Sequence, residues 1–137
     1  MASSLFIEFK QAWLEGGANI ALTSGVDATL IDHADDTPNP AAAGDDFFDD
    51  ISAPSRVADV ALTGESVTNN VFDADDAVWT SVTGDQAESI ILRKNTGTES
   101  TSRLIIFLDS TTMTGLPVTP GGGNITAAWH ASGIFAA

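Results

Sequence analysis

VFDADDAVWTSVTGDQAESIILRKNTGTESTSRLIIFLDSTTMTGLPVTPGGGNITAAW, Val71 to Trp129, alternates short β-rich runs with turn residues and contains no assembled catalytic set. Two runs inside it decide the fold class. Ile90-Ile91-Leu92 and Leu104-Ile105-Ile106-Phe107-Leu108 break the alternation of a strand with one wet face, so both faces of each are expected to be covered. One face packs into the core. The other needs a second sheet, the N-terminal helix or another subunit. Ala77 to Val82, in contrast, reads as a strand nearer an edge.

Around these runs the turn code is regular. Residues 56–62 and 66–72 read as strands joined by Thr63-Gly64-Glu65, and 78–82 follows the acidic turn 73–76. Thr83-Gly84-Asp85 is expected to make a hairpin into 87–94, and Asn95-Thr96-Gly97-Thr98 to lead into 103–109. A longer loop with Gly115, Pro117, Pro120 and Gly121 to Gly123 precedes closing strands at 125–129 and 134–136. The expected fold is mainly β: an antiparallel β-sandwich or half-barrel meander with one N-terminal α-helix, in a single domain over 1–137.

Upstream, Ser3 or Ser4 can cap a helix running to Glu15, with Leu5, Phe6, Phe9, Ala12 and Trp13 on one apolar stripe and Gly16-Gly17 as its stop. The stripe packs on its own sheet or on a neighbouring subunit. Short strands are expected at 20–23 and 26–32, split by Ser24-Gly25. Residues 33–55, HADDTPNPAAAGDDFFDDISAPS, hold three prolines and no sustained period, which reads as a mobile or partner-ordered loop. Within it Phe47-Phe48 lies between pairs of aspartates, either as an anchor under the loop or as a surface presented to a partner.

Composition narrows the function. The chain has 137 residues, 43% of them hydrophobic, and no cysteine, so disulfides, thiolate metal sites and thiol nucleophiles are excluded. Net charge is −14, and between Asp27 and Glu88 fifteen acidic residues face one basic residue, Arg56. Such a surface repels phosphate backbones and suits solvation, salty water or a basic partner, so no nucleic-acid partner is expected. The N-terminus lacks the early positive charges and long apolar run of a secretory signal, and no segment approaches the about 20 apolar residues of a membrane span; the chain reads as soluble and made in a cytoplasm.

The chemical inventory is thin. His33 and His130 are the only histidines and neither sits in a metal-binding spacing, Gly121-Gly122-Gly123 lacks the continuation of a phosphate cradle, and no GxSxG occurs. No catalytic residue and no cofactor is expected, and the chain reads as non-enzymatic. One cation candidate stands out: Asp73, Asp75 and Asp76 place hard oxygens in one turn, as calcium prefers, without the glycine and glutamate that complete an EF-hand loop.

The block from Val71 to Ser110, followed by TGLPVTPGGGNITAAW, resembles a family of small virion-associated structural proteins of tailed bacteriophages, and Leu30-Ile31-Asp32 matches that family's strand ending. The chain departs from the pattern at residues 19–25, in the Pro- and Asp-rich loop, and at Arg93-Lys94-Asn95, where the family tends to have a tyrosine or lysine followed by aspartate. The resemblance implies a structural protein of the particle. Small size, acidity and the lack of heptads or repeats favour a capsid decoration, or cement, protein on the outer capsid surface over a fibre shaft. Its partner would then be the major capsid protein, bridged by a homo-oligomer, a trimer or dimer, with Phe47, Phe48, Ile105 and Phe107 at the contacts. The alternatives are a tail, neck or baseplate component, or a receptor- or glycan-binding module in which Trp79 or Trp129 is the stacking platform.

Overall fold

The helix begins later than its capping serines suggest. In the computed structural model, which describes residues 4–41 and 44–136, Ser4–Leu5 is a short strand, β1, and the helix α1 spans Ile7–Glu15. Ser3, the other expected cap, and Ala42 and Ala43 of the loop lie outside the described residues. Ser4 and Leu5 pair antiparallel with Phe107 and Ile106, and the Phe6 amide donates to the Ile105 carbonyl at 2.9 Å. Sheet bonds thus satisfy the backbone that a serine cap would have served, and Phe6 becomes an N-cap with no side-chain bond. Phe6, Phe9 and Ala12 are buried as the stripe requires, whereas Trp13 stays 41% exposed. Gly16 stops the helix at φ 68°, its amide and that of Gly17 closing on the last turn's carbonyls.

The remaining strands are β2 Val26–Ile31, β3 Arg56–Ala61, β4 Ser66–Thr68, β5 Val71–Asp73, β6 Ala77–Trp79, β7 Ser89–Lys94, β8 Leu104–Asp109, β9 Ile125–Ala127 and β10 Phe135–Ala136. They form three antiparallel sheets, ordered β1-β8-β7-β2-β3, β10-β5-β4 and β6-β9. The chain is therefore mainly β with one N-terminal helix, but its connections are not those of a meander. Both edges of β7 are taken by β2 and β8, so β6 cannot make the expected hairpin with it and pairs with β9 instead. The expected strand at 66–72 is broken by Asn69 and Asn70 at φ 52° and 65°, which make a tight two-residue turn between β4 and β5. Residues 20–23 form no strand; Leu22 is buried and contributes apolar area rather than ladder bonds.

Residues paired across an antiparallel ladder share a face. On one face of the five-stranded sheet lie Ala28, Leu92 and Ile106, then Leu30, Ile90 and Leu108. Trp79 of β6 packs here and donates its indole N–H to the Ala28 carbonyl at 3.1 Å. On the other face lie Thr29, Ile91 and Phe107, then Asp27, Arg93 and Leu104. His33 stacks on Phe107 with centroids 5.9 Å apart, and Phe48 lies against Arg93. The two-sided apolar strands are thus covered within the chain: by the smaller sheets on one side and by residues 33–55 on the other. Each of Leu104, Ile105, Ile106, Phe107 and Leu108 is at most 5% exposed.

Candidate functional site

Residues 33–55 form a strap across the sheet, and the chain's arginines hold it. The sequence has three arginines, and each packs on the Phe47-Phe48 pair. The guanidinium carbons of Arg56 and Arg93 lie 3.9 and 3.7 Å from the Phe48 ring centroid, and that of Arg103 lies 4.9 Å from Phe47. Arg56 also donates to the Phe48 and Ile51 carbonyls at 2.8 and 2.6 Å and pairs with Glu99 at 2.8 Å. Backbone bonds complete the clamp: Phe48 N–H to the Ser102 carbonyl at 2.9 Å, and Leu104 N–H to the Asp46 carbonyl at 3.0 Å. Of the two sequence readings of Phe47-Phe48, the structure shows an anchor. Phe48 is 4% exposed.

With the arginines occupied inside, the strap turns carboxylates outward. Asp35 and Asp49 are exposed, while Asp36 and Asp45 brace the backbone by accepting from Ser52 N and Asn39 N, each at 2.8 Å, and the exposed Asp50 accepts from Asp46 N and Phe47 N at 3.0 and 3.2 Å. The result is an acidic face on a braced support. Arg93 is held by Asp27 at 3.2 Å and Asp59 at 2.8 Å, and the exposed Lys10 of α1 lies at one end of the strap, beside residues 39–41. The sequence shows only a charge, Arg93, closing the apolar run Ile90-Ile91-Leu92 with Lys94 beside it, and the partners of Arg93 are distant in the chain.

The expected site residues are placed as follows. Phe48, Ile105 and Phe107 are buried within the chain itself, so they present no surface to a partner, and Phe47 is half-buried. Asp73, Asp75 and Asp76 do not converge: Asp73 accepts from Ala74 N at 2.9 Å, Asp75 from the Thr63 hydroxyl at 3.1 Å, and Asp76 from Trp129 N at 3.1 Å. Each carboxylate serves a turn rather than a common centre. Among the described residues the one group of three acids whose oxygens come within 4.8 Å of one another is Asp32, Asp35 and Asp85, where Asp32 already accepts from Ala34 N. His33 and His130 line separate cavities, of about 380 and 540 Å³. Trp79 and Trp129 are 2% and 8% exposed and donate to the Ala28 and Asp75 carbonyls, so neither offers a stacking platform.

No protein-family model matches this chain, and no curated protein matches it in sequence. No helix among the described residues is long and apolar enough to cross a membrane.

One property of the strap titrates. Asp46, as a protonated carboxyl, hydrogen-bonds Asp50, and this bond, followed by partial burial and repulsion from Asp50, raises its pKa from 3.8 to about 6. The same bond lowers that of Asp50. Burial raises Asp27 and Asp45 as well. A raised carboxyl pKa means that the folded state holds the extra proton, so this contribution is full below 3.8 and is lost as pH rises through about 6. The melting temperature is therefore expected to fall as pH rises from 3.8 to about 6 and to level off above, and Asp46→Asn, which keeps a donor at every pH, to flatten that slope in thermal melts. An unchanged slope in the variant would remove Asp46 as the cause.

Proposed function

We propose that this chain is a non-enzymatic structural protein of a tailed-phage particle, a decoration protein that binds the major capsid protein on the outside of the shell. The observation that supports this most is the braced acidic strap: a rigid, strongly negative face suits a fixed basic surface, whereas every two-sided apolar strand is already covered in cis. The resemblance of the Val71–Trp129 block to small virion proteins points to the particle, and the acidic coat to its exterior. Binding of this type is spread over many contacts and reinforced by repetition on a symmetric shell. A homo-oligomer, if formed on the shell, would use surfaces other than Ile105, Phe107 and Phe48.

The test is sedimentation with purified capsids and purified tails, preceded by the solution mass of the free protein. The expected result is pelleting with capsids and not with tails. Binding should weaken as added salt shortens the Debye length from about 8 Å. A double Asp35→Asn, Asp49→Asn variant should bind less while melting as a folded protein. Pelleting with tails alone would move the chain to a tail, neck or baseplate position, and salt-independent capsid binding would displace the acidic face as the contact.

A further inference from the structure

The geometry points to a second docking site: the open edge of β4 and the apolar groove beside it accept an extended, basic–apolar segment of a partner protein as an added strand. β4 is the end strand of the β10-β5-β4 sheet, and all three of its residues are exposed. Its Val67 pairs with Phe72, whose carbonyl accepts from Ile134 N at 2.8 Å on the β10 side. In an antiparallel ladder a residue opposite one that bonds the far strand directs its own N–H and carbonyl outward. The two-residue turn at Asn69-Asn70 sets the same register. Val67 therefore offers a free donor and acceptor to a further strand, 4.7–4.9 Å away in the usual spacing, about one strand width.

The side-chain chemistry selects the occupant. Val67, Phe72 and Phe135 share the sheet face that looks across to Phe9, Trp13 and Leu22, and the groove between them encloses about 370 Å³ with no charged residue in its lining. Val67 is 49% exposed and Trp13 41%, an apolar opening at the strand edge. A residue registered with Val67 on an added strand directs its side chain into that opening, so it must be apolar. Its two neighbours point to the opposite face, where Ser66 is paired with Asp73. Asp75 also lies at this end of β4, its carboxyl against Gly64. A lysine or arginine next to the apolar residue reaches across Ser66 to this acidic end, which disfavours an acidic segment and, at net charge −14, a second copy of this chain.

This site goes beyond the capsid reading and is tested apart from it. An acetylated heptapeptide alternating arginine and valine is titrated into the isotope-labelled protein, with a glutamate–valine peptide as its counterpart. Expected are shifts of the Val67 and Thr68 amides and of Trp13 fluorescence, with the glutamate peptide at least about tenfold weaker. Val67→Pro removes the outward donor without touching the β4–β5 ladder and should abolish the shifts while the melting temperature holds. Trp13→Ala, at an exposed position, tests the groove should the proline variant fold poorly. Binding unchanged in both variants, equal binding of the glutamate peptide, or a concentration-dependent dimer that Val67→Pro dissolves would each overturn the assignment. Capsid pelleting by a variant that has lost the peptide leaves the decoration reading intact.

Discussion

Arg93→Met is expected to lower the melting temperature by roughly 10–20 °C, the consequence of about 3–5 kcal/mol lost when one partner of a buried ion pair is removed. The side chain of Arg93 is 7% exposed and that of Asp27 11%. The guanidinium meets Asp27 Oδ2, both oxygens of Asp59, the Thr29 hydroxyl and the Phe48 ring. Two opposing effects set the size. Assembling the pair gains little net energy, because desolvation of both ions offsets their attraction. Breaking it costs much more, since Asp27 stays buried with a charge that only Asn95 then answers, at 2.8 Å. Asp59, 43% exposed, is screened by water and contributes less despite its shorter bonds. Burial already raises the Asp27 pKa, a sign that its charged form depends on Arg93 and Asn95. Denaturant or thermal melts of the double variant Arg93→Met, Asp27→Asn should therefore recover most of the loss. Additive losses in that cycle would mean that the two residues do not act as a pair.

Phe48→Ala is expected to cost about 3–5 kcal/mol, as deletion of a buried aromatic side chain does, and to free the strap before the sheet unfolds. Phe48 is the contact shared by Arg56 and Arg93, and its ring, with the fully buried Ile51, anchors the strap in the core. Its loss leaves a cavity on the Thr29–Ile91–Phe107 face and unstacks two guanidinium groups. Phe48→Leu should be milder, because it keeps apolar volume and loses chiefly the cation–ring attraction, about 1–2 kcal/mol where desolvated. Limited proteolysis reads the difference: cleavage in 33–55 should appear in Phe48→Ala well before the remainder of the chain is cut. Cutting spread evenly over the chain would show that the strap has no stability of its own to lose.

These variants also show how far local sequence reaches. The two apolar runs were legible as strands covered on both faces, because alternation reports burial of each face directly. What covered them was not legible. The strap reads as a polar loop, and contacts distant in the chain make it a layer of the fold, chief among them the stacking of Phe48 on Arg56 and Arg93, residues 8 and 45 positions away in the numbering. The Asn69-Asn70 turn was a missed local signal, since paired asparagines adopt positive φ readily. The β6–β9 pairing had no local signal: the Thr83-Gly84-Asp85 turn suggested a hairpin, and occupancy of both β7 edges forbade it. Ser4 was legible as a cap but was claimed by the edge of β8. For the candidate site, the acids were visible by count, while their outward display followed from the arginines being drawn inward.

By itself the sequence determined the mainly β class, the single N-terminal helix with its glycine stop, the apolar strands and the acidic surplus, because each depends on residue type and short spacing. Tertiary structure alone decided the sheet order, the clamp of Phe47-Phe48 by all three arginines and the open β4 edge. It also decided that Asp73, Asp75 and Asp76 serve separate turns, and that Ile105 and Phe107 face the chain's own interior. The physical reason is the same in each case: a strand edge or a buried charge takes whichever partner the folded chain brings within a few ångströms, and sequence distance places no limit on that partner.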